Sequence, residues 1–272
     1  MIERNVANVV IRILSSLLSV IFACILVSGC IRKDPNPQDP YESINRKTYQ
    51  FNQFFDTLLL KPVAKGYKAL LPAPVRVGIN NVYDNANMIP TVANDVLQGD
   101  IAHAIKDFWR LGINSSLGIG GILDVANMRC GLPPRSNDLG LTFAKWGDTK
   151  SPYIVIPLLG PSTIRDGMAA MFQYAVLTPY PYIPSDAAIW GVLGFRYVDL
   201  RSQLLDSENL IDEALDRYSF IRDAYLQHRN YKIQEVTGGK NNPLTSNTEI
   251  GSDYITEEAI QEAGKITSKP AS

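Results

Sequence analysis

Apolar residues recur at helical spacing along most of this chain. The first element they predict runs from Asp39 towards Leu60, with Ile44, Phe51, Phe54, Phe55 and Leu58 on one side. Asp39, Pro40 and Glu42 stand in the order of an N-cap, a first-turn proline and a capping-box partner, and Pro62 is expected to stop or bend the helix. A second helix from about Val75 places Ile79 and Val82 inward and Asn80, Asn81 and Asp84 outward. Pro90 is expected to interrupt it, leaving a third segment from Thr91 to Gln98 that ends at Gly99. Ile101, Ile105, Phe108, Trp109 and Ile113 predict a further helix, as do Arg165 to Leu177 and Asp186 to Phe195, the last two separated by the proline-tyrosine run Pro179 to Pro184. Ser207 is placed to cap a long closing helix that carries Ile211, Leu215, Tyr218, Ile221 and Tyr225 on one face to about Tyr231.

Two stretches break the helical period. Leu117 to Leu123 is apolar but dense in glycine, with Gly118, Gly120 and Gly121, and suits a close backbone approach or a pliable hinge. Tyr153 to Leu159 reads as a short strand or an extended pass, but Pro152, Pro157 and Pro161 confine it to an edge or loop, so little sheet is expected. The predicted fold class is mainly α: one helical domain over residues 39–237 with short extended segments. Beyond Gly238 the chain turns to Gly, Asn, Ser, Thr and Glu, which predicts a disordered tail over 238–272 with at most a short helix near Glu257 to Ala263.

The amino terminus changes the picture. Ile13 to Val27 is apolar apart from three serines and follows Arg4 and Arg12, the layout of a secretory signal peptide. At about 1.5 Å per residue the run reaches roughly 22 Å, short of the ~30 Å hydrocarbon core. Ser28 and Gly29 before Cys30 resemble a bacterial lipobox, which assigns residues 1–29 to a cleaved signal peptide, Cys30 to lipidation and 30–38 to a tether. Ile31 follows where an Asp would resemble an inner-membrane retention signal, so analogy with bacterial lipoproteins predicts the outer membrane. Cys24 leaves with the signal and Cys30 takes lipid, leaving Cys130 without a disulfide partner; a small buried hydrophobe is preferred for it over a reactive thiol.

Charge adds exclusions. With 26 Lys and Arg against 27 Asp and Glu, nothing argues for nucleic acid, while an apolar fraction of 46% can fill a core. His103 and His228 lack a paired-ligand spacing, there is no cysteine pair for zinc, and the phosphate-loop, dinucleotide and nucleophile-elbow motifs are all missing. No cofactor or metal is implied, and the enzyme reading falls in weight. A nucleophile or carboxylate pair assembled in space stays open.

The residues that remain carry a pattern. It runs Asp39-Pro40-Tyr41-Glu42, Asn45-Arg46, Phe51-Asn52, Lys61-Pro62-Val63-Ala64 and Leu97-Gln98-Gly99-Asp100. It continues with Asn114, Gly118, Gly121, Asp124-Val125-Ala126, Trp146-Gly147, Pro152-Tyr153, Pro157, Gly160-Pro161-Ser162 and Arg165-Asp166, and closes with Leu204 to Ser207 and Arg222 to Tyr225. Over about Asp39 to Arg229 this resembles the MlaA family, also called VacJ, of Gram-negative outer-membrane lipoproteins. Arg217 stands where relatives tend to have proline, which favours a continuous helix there.

The resemblance implies a helical ring embedded in the periplasmic leaflet of the outer membrane with an amphipathic central channel. It also implies removal of mislocalised phospholipids from the outer leaflet, transfer to the periplasmic carrier MlaC, and association with a trimeric porin. A channel with one polar wall would lower the several-kcal/mol cost of moving a head group past hydrocarbon. Candidate lipid-channel or gating residues are Asn114, Gly118, Gly120, Gly121, Asp124 and Arg165, the glycines reading equally as tight turns. Arg46 and Arg165 read either as phosphate ligands or as partners of acidic residues. The rival reading is a porin-associated adaptor lipoprotein without transport; a lipid-modifying enzyme is the third.

Overall fold

The computed structural model of this protein describes residues 36–238. The expected signal peptide, the expected lipidation site Cys30, the expected disordered tail beyond Gly238 and the expected helix near Glu257 lie outside the described residues. The fold is mainly helical, with helices α1 (Glu42–Phe55), α2 (Lys61–Leu70), α3 (Ala73–Leu97), α4 (Ile101–Ser116), α5 (Val125–Cys130) and α6 (Leu139–Lys145) in its first part. A hairpin of β1 (Tyr153–Ile156) and β2 (Gly160–Thr163) follows, then α7 (Ile164–Leu177), α8 (Asp186–Leu204), α9 (Glu208–Asp212) and α10 (Arg217–Thr237). Contacts pass in a closed circuit from α1 to α2, α8, α3, α6 and α7, α10, the hairpin and back to α1, with α4 packed on α3 and α5 on α4. Among the described residues no helix is long and apolar enough to cross a membrane.

Burial is inverted relative to a water-soluble protein. Asn85, Thr91, Asn94, Asp95, Gln98, Asp107, Arg110, Asn114, Arg165, Asp166 and Asp199 are buried, while Phe54, Leu58, Ile105, Phe108, Trp109, Leu117, Phe172 and Trp190 are exposed. On α4 the predicted helix is present, but its aromatic stripe faces out, with Trp109 61% exposed, and the stripe Ala104, Asp107, Arg110 and Asn114 faces in. On α3 the inward face is Tyr83, Met88, Thr91, Asn94 and Asp95, and Val82 is exposed, which reverses the expected orientation.

Neither proline breaks its helix. Asp56–Leu60 forms one π-helical stretch that joins α1 to α2, and Pro62 lies in the first turn of α2, where the widened spiral removes the need for its missing N–H. Arg201 fixes that stretch by a bidentate pair to Asp56, at 2.7 and 2.9 Å. Pro90 sits buried inside α3, whose path is held by neighbours: the Asn94 side chain donates to the Pro90 carbonyl at 2.8 Å and Thr91 to the Asn87 carbonyl at 2.8 Å.

Asp39 does not cap α1. The N-cap is Tyr41, without a side-chain bond, and Asp39 is instead fully buried, accepting from Asn45 at 2.8 Å and from the Tyr218 hydroxyl. Two amides one heptad apart on α1 serve the free edge of β1. Asn45 receives the Val155 N–H at 2.9 Å and donates to the Tyr153 carbonyl at 3.2 Å, and Asn52 donates to the Ile156 carbonyl at 3.0 Å, so side chains stand in for a neighbouring strand along much of this edge. The register pairs Tyr153 with Thr163 and Ile156 with Gly160.

The closing helix is broken rather than continuous. Ser207 makes no capping bond, α9 ends at Asp212, and α10 restarts behind Asp216, which accepts from the Tyr218 N–H at 3.1 Å. Arg46 donates to the same carboxylate at 2.6 Å and lies 4.4 Å from the Tyr218 ring centroid. The Arg46 bond outweighs desolvation and holds Asp216 well below the usual carboxylate range. Cys130 is exposed, not buried, at the end of a helix too short to cover it.

Asp216→Ala should lower the unfolding free energy by about 1 kcal/mol through the lost cap, and Asp216→Asn by only a few tenths, because Asn caps as well and an exposed ion pair contributes little. Urea unfolding in detergent checks this. Equal losses in both variants would assign the role to the pair with Arg46.

Candidate functional site

Three of the predicted site residues, Asn114, Asp124 and Arg165, lie in two buried knots, and Gly118, Gly120 and Gly121 form the turn beside the first. In the first, Arg110 of α4 donates to the Leu132 carbonyl at 2.6 Å and to Asp124 at 2.8 Å, while Asn114 donates to Asp124 at 3.0 Å and receives the Ala126 N–H at 2.9 Å. Burial alone would raise the Asp124 carboxyl, but the Arg110 and Asn114 bonds hold it below its ordinary value. Asp124 also caps α5 through the Asn127 N–H. Asn114 and Asp124 therefore join α4 to α5 across the glycine turn.

That turn is tightly packed at two of its three glycines. A Cβ on Gly118 would lie 2.5 Å from the Asn114 carbonyl oxygen, and one on Gly121, whose φ is +94°, would lie 2.7 Å from the Asn85 Cβ. Gly120 has φ +67° and open space around it. Ile119 shares the left-handed region at φ 53°, rare for a β-branched residue. Leu117, Ile119, Ile122 and Leu123 all project outward from this frame.

The second knot surrounds Arg165. It donates to Asp166 at 2.8 Å and to the Asp148 carbonyl at 2.7 Å. Arg229 of α10 bridges Asp138 at 2.7 Å and Asp166 at 2.8 Å, and Tyr225 donates to Asp166 at 3.0 Å. Burial would raise Asp166; Arg229 first, then Arg165, reverse this and keep it ionised. Gly140 gives this knot its room, since a Cβ there would lie 2.5 Å from Arg229 Nη2 and displace the ion pairs. Arg46 and Arg165 thus both pair with acidic side chains.

A third knot, which pattern reading did not single out, lines α3. Asn94 bonds Gln173 at 3.0 Å and Thr142 at 2.8 Å, Gln98 bonds Asn137 at 2.8 Å, and Arg135 bonds Asp95 at 2.7 Å. The available signal was the polar period Thr91, Asn94, Asp95, Gln98, together with Asp107, Arg110 and Asn114 on the next helix. Outside these knots, a hollow of about 340 Å³ between α3 and α4 is lined by Val92, Val96, Ile101, Ile105, Phe108 and Trp109. It presents carbon alone, the chemistry of a hydrocarbon chain.

A family model described as MlaA lipoprotein matches residues 37–232. The chain belongs to the MlaA lipoprotein family. A Rickettsia felis protein that carries no functional name is 34% identical over 208 residues, 76% of this chain and 81% of its own length. A Shigella flexneri protein named intermembrane phospholipid transport system lipoprotein MlaA is 33% identical over 214 residues, 76% of this chain and 84% of its own. A solved structure described as the structural basis for maintenance of bacterial outer membrane lipid asymmetry superposes with a TM-score of 0.62 at 32% identity, over 72% of this chain and 98% of that one. The MlaA family match begins before α1 and ends inside α10, so it takes in all three knots.

The glycine turn yields a graded prediction for thermal unfolding. Gly120→Ala should cost about 1 kcal/mol from its backbone alone, and Gly121→Ala about 3 kcal/mol, adding the clash with Asn85. Similar losses would mean that Asn85 yields freely.

Proposed function

We propose that this protein is an outer-membrane lipoprotein that removes mislocalised phospholipids from the outer leaflet and passes them to a soluble periplasmic carrier, maintaining lipid asymmetry without covalent chemistry. One observation carries the reading: an MlaA-family chain with many charged and amide side chains buried and many large apolar side chains exposed. Such a surface is unfavourable in water and favourable in hydrocarbon, where every polar group must find an internal partner. The closed circuit of elements supports a ring lying in one leaflet, with acyl chains against α3 and α4. Lipidation at Cys30 would hold that ring at the periplasmic face, with MlaC and a trimeric porin as partners.

The candidate residues then take a modest part. Asn114, Asp124 and Arg165 are bonded within the protein, so they hold the shape of the lipid path rather than grip a head group. Gly118, Gly120 and Gly121 set the turn whose apolar tip, Leu117 to Leu123, enters the leaflet.

The test is outer-leaflet phospholipid, read by a membrane-impermeant amine label on intact cells lacking the gene and complemented with variants. Wild type should clear the excess, and Cys30→Ala should not, losing fatty-acid labelling as well. Normal surface phospholipid with disturbed porin assembly would establish the adaptor reading instead, and hydrolysed lipid from purified protein would establish an enzyme. For membrane contact, Phe108→Asp in a Cys30→Ala background should weaken binding to phospholipid vesicles by about 2–3 kcal/mol, roughly 30- to 150-fold. Unchanged binding would remove α4 from the lipid-facing surface.

A further inference from the structure

The third knot ends in a pair of acidic groups that the transport reading does not use. Asp95 of α3 is 0% exposed and Asp107 of α4 only 4%, and one guanidinium nitrogen of Arg135 serves both, at 2.7 Å to Asp95 Oδ1 and 3.4 Å to Asp107 Oδ2. Asn137 also donates to Asp95 Oδ1, at 2.6 Å, while the second oxygen of Asp95 is buried without any hydrogen-bond partner. Two carboxylates therefore face one cation, with one acceptor unserved. A buried oxygen in that position calls for a donor.

We propose that Asp95 and Asp107 hold one proton between them, making the junction of α3, α4 and the 131–138 segment a protonation site that clasps the segment in place. With that proton the cluster of two carboxyls and one guanidinium is electrically neutral, and a hydroxyl on Asp107 supplies the donor that Asp95 Oδ2 lacks. Without it, a net negative charge is left in a buried site, where uncompensated charge is strongly unfavourable. Burial first, and then the Asp95 carboxyl within hydrogen-bonding reach, push Asp107 up to about 6 against the opposing pull of Arg135.

The other groups around the pair do not replace the proton. Arg110, one turn along α4, is committed to Asp124 and Leu132. Asp100 adds a further negative charge near Arg135 and is bonded to His103 at 2.7 Å. Gln98 and Asn137, bonded to each other at 2.8 Å, and Thr142 and Asn94, likewise at 2.8 Å, are neutral. Among the described residues no group of three His, Cys, Asp or Glu side chains gathers to hold a metal ion, and the cation in this cluster is the Arg135 guanidinium.

The direction of the pH effect follows. Asp107 binds a proton more tightly in the folded than in the unfolded chain. Its stabilising contribution is complete below the unfolded value near 3.8 and is lost as pH rises towards 6. Chemical unfolding of the full-length protein in detergent, wild type against Asp107→Asn, reads this from pH 4 to 8. The ratio of the two unfolding constants should rise by up to about tenfold per pH unit between roughly 4 and 6 and level off above, since Asn imitates the protonated acid throughout. A ratio constant with pH would overturn the proposal. Infrared spectra of the wild-type protein give a reading that needs no foldable variant: a protonated-carboxyl component that titrates near pH 6, apart from the ordinary carboxyls that titrate near 4, is expected, and titration near 4 alone would also overturn the proposal.

Discussion

Arginine-to-aspartate pairing inside a helical shell is the interaction on which this structure depends. Arg110 with Asp124, Arg135 with Asp95, Arg229 with Asp138 and Asp166, Arg196 with Asp84 and Arg201 with Asp56 each join two different segments of the chain. The apolar clusters are small: Leu141, Ala144 and Ile233 form one, and Tyr153, Val155 and Tyr218 another. A chain that turns its aliphatic and aromatic side chains outward must find its cohesion elsewhere. Charge-assisted bonds, stronger where water is excluded, supply it.

The same constraint shapes the local devices. Asn45 and Asn52 close the open edge of β1, Asn94 holds the helix at Pro90, and Asp124, Asp138 and Asp216 each cap a helix while also meeting an arginine. Capping and pairing are compatible because a carboxylate has two oxygens and accepts from a backbone N–H and a guanidinium at once. Single residues thereby fix both where a helix begins and which neighbour it meets. Function, on this reading, comes from a rigid polar frame that presents apolar surface, with no reactive group required.

Much of the helical content was legible because periodicity survives in any solvent. α4, α7 and the first half of α8 stand where the apolar spacing put them, and the prolines limited β structure to one hairpin. The glycine turn was also recognisable, and Gly118 and Gly121 proved to be close-approach positions. The breaks were harder. Arg217 in place of proline argued for an unbroken closing helix, yet Asp216, with Arg46 170 residues distant in sequence, restarts it.

By itself, then, the sequence determined the apolar spacing of several principal helices, that β structure is scant, which family the chain belongs to and that its amino-terminal segment has the form of a lipoprotein signal. Tertiary structure alone decided which side of each helix is the inside. A period of 3.6 separates two faces but carries no sign: Phe108 and Trp109 form the same stripe whether they meet a protein core or a lipid tail. The sign is set by where Asp107, Arg110 and Asn114 find partners, and those partners, Asp124, Arg135 and Leu132, come from chain segments that only folding brings alongside.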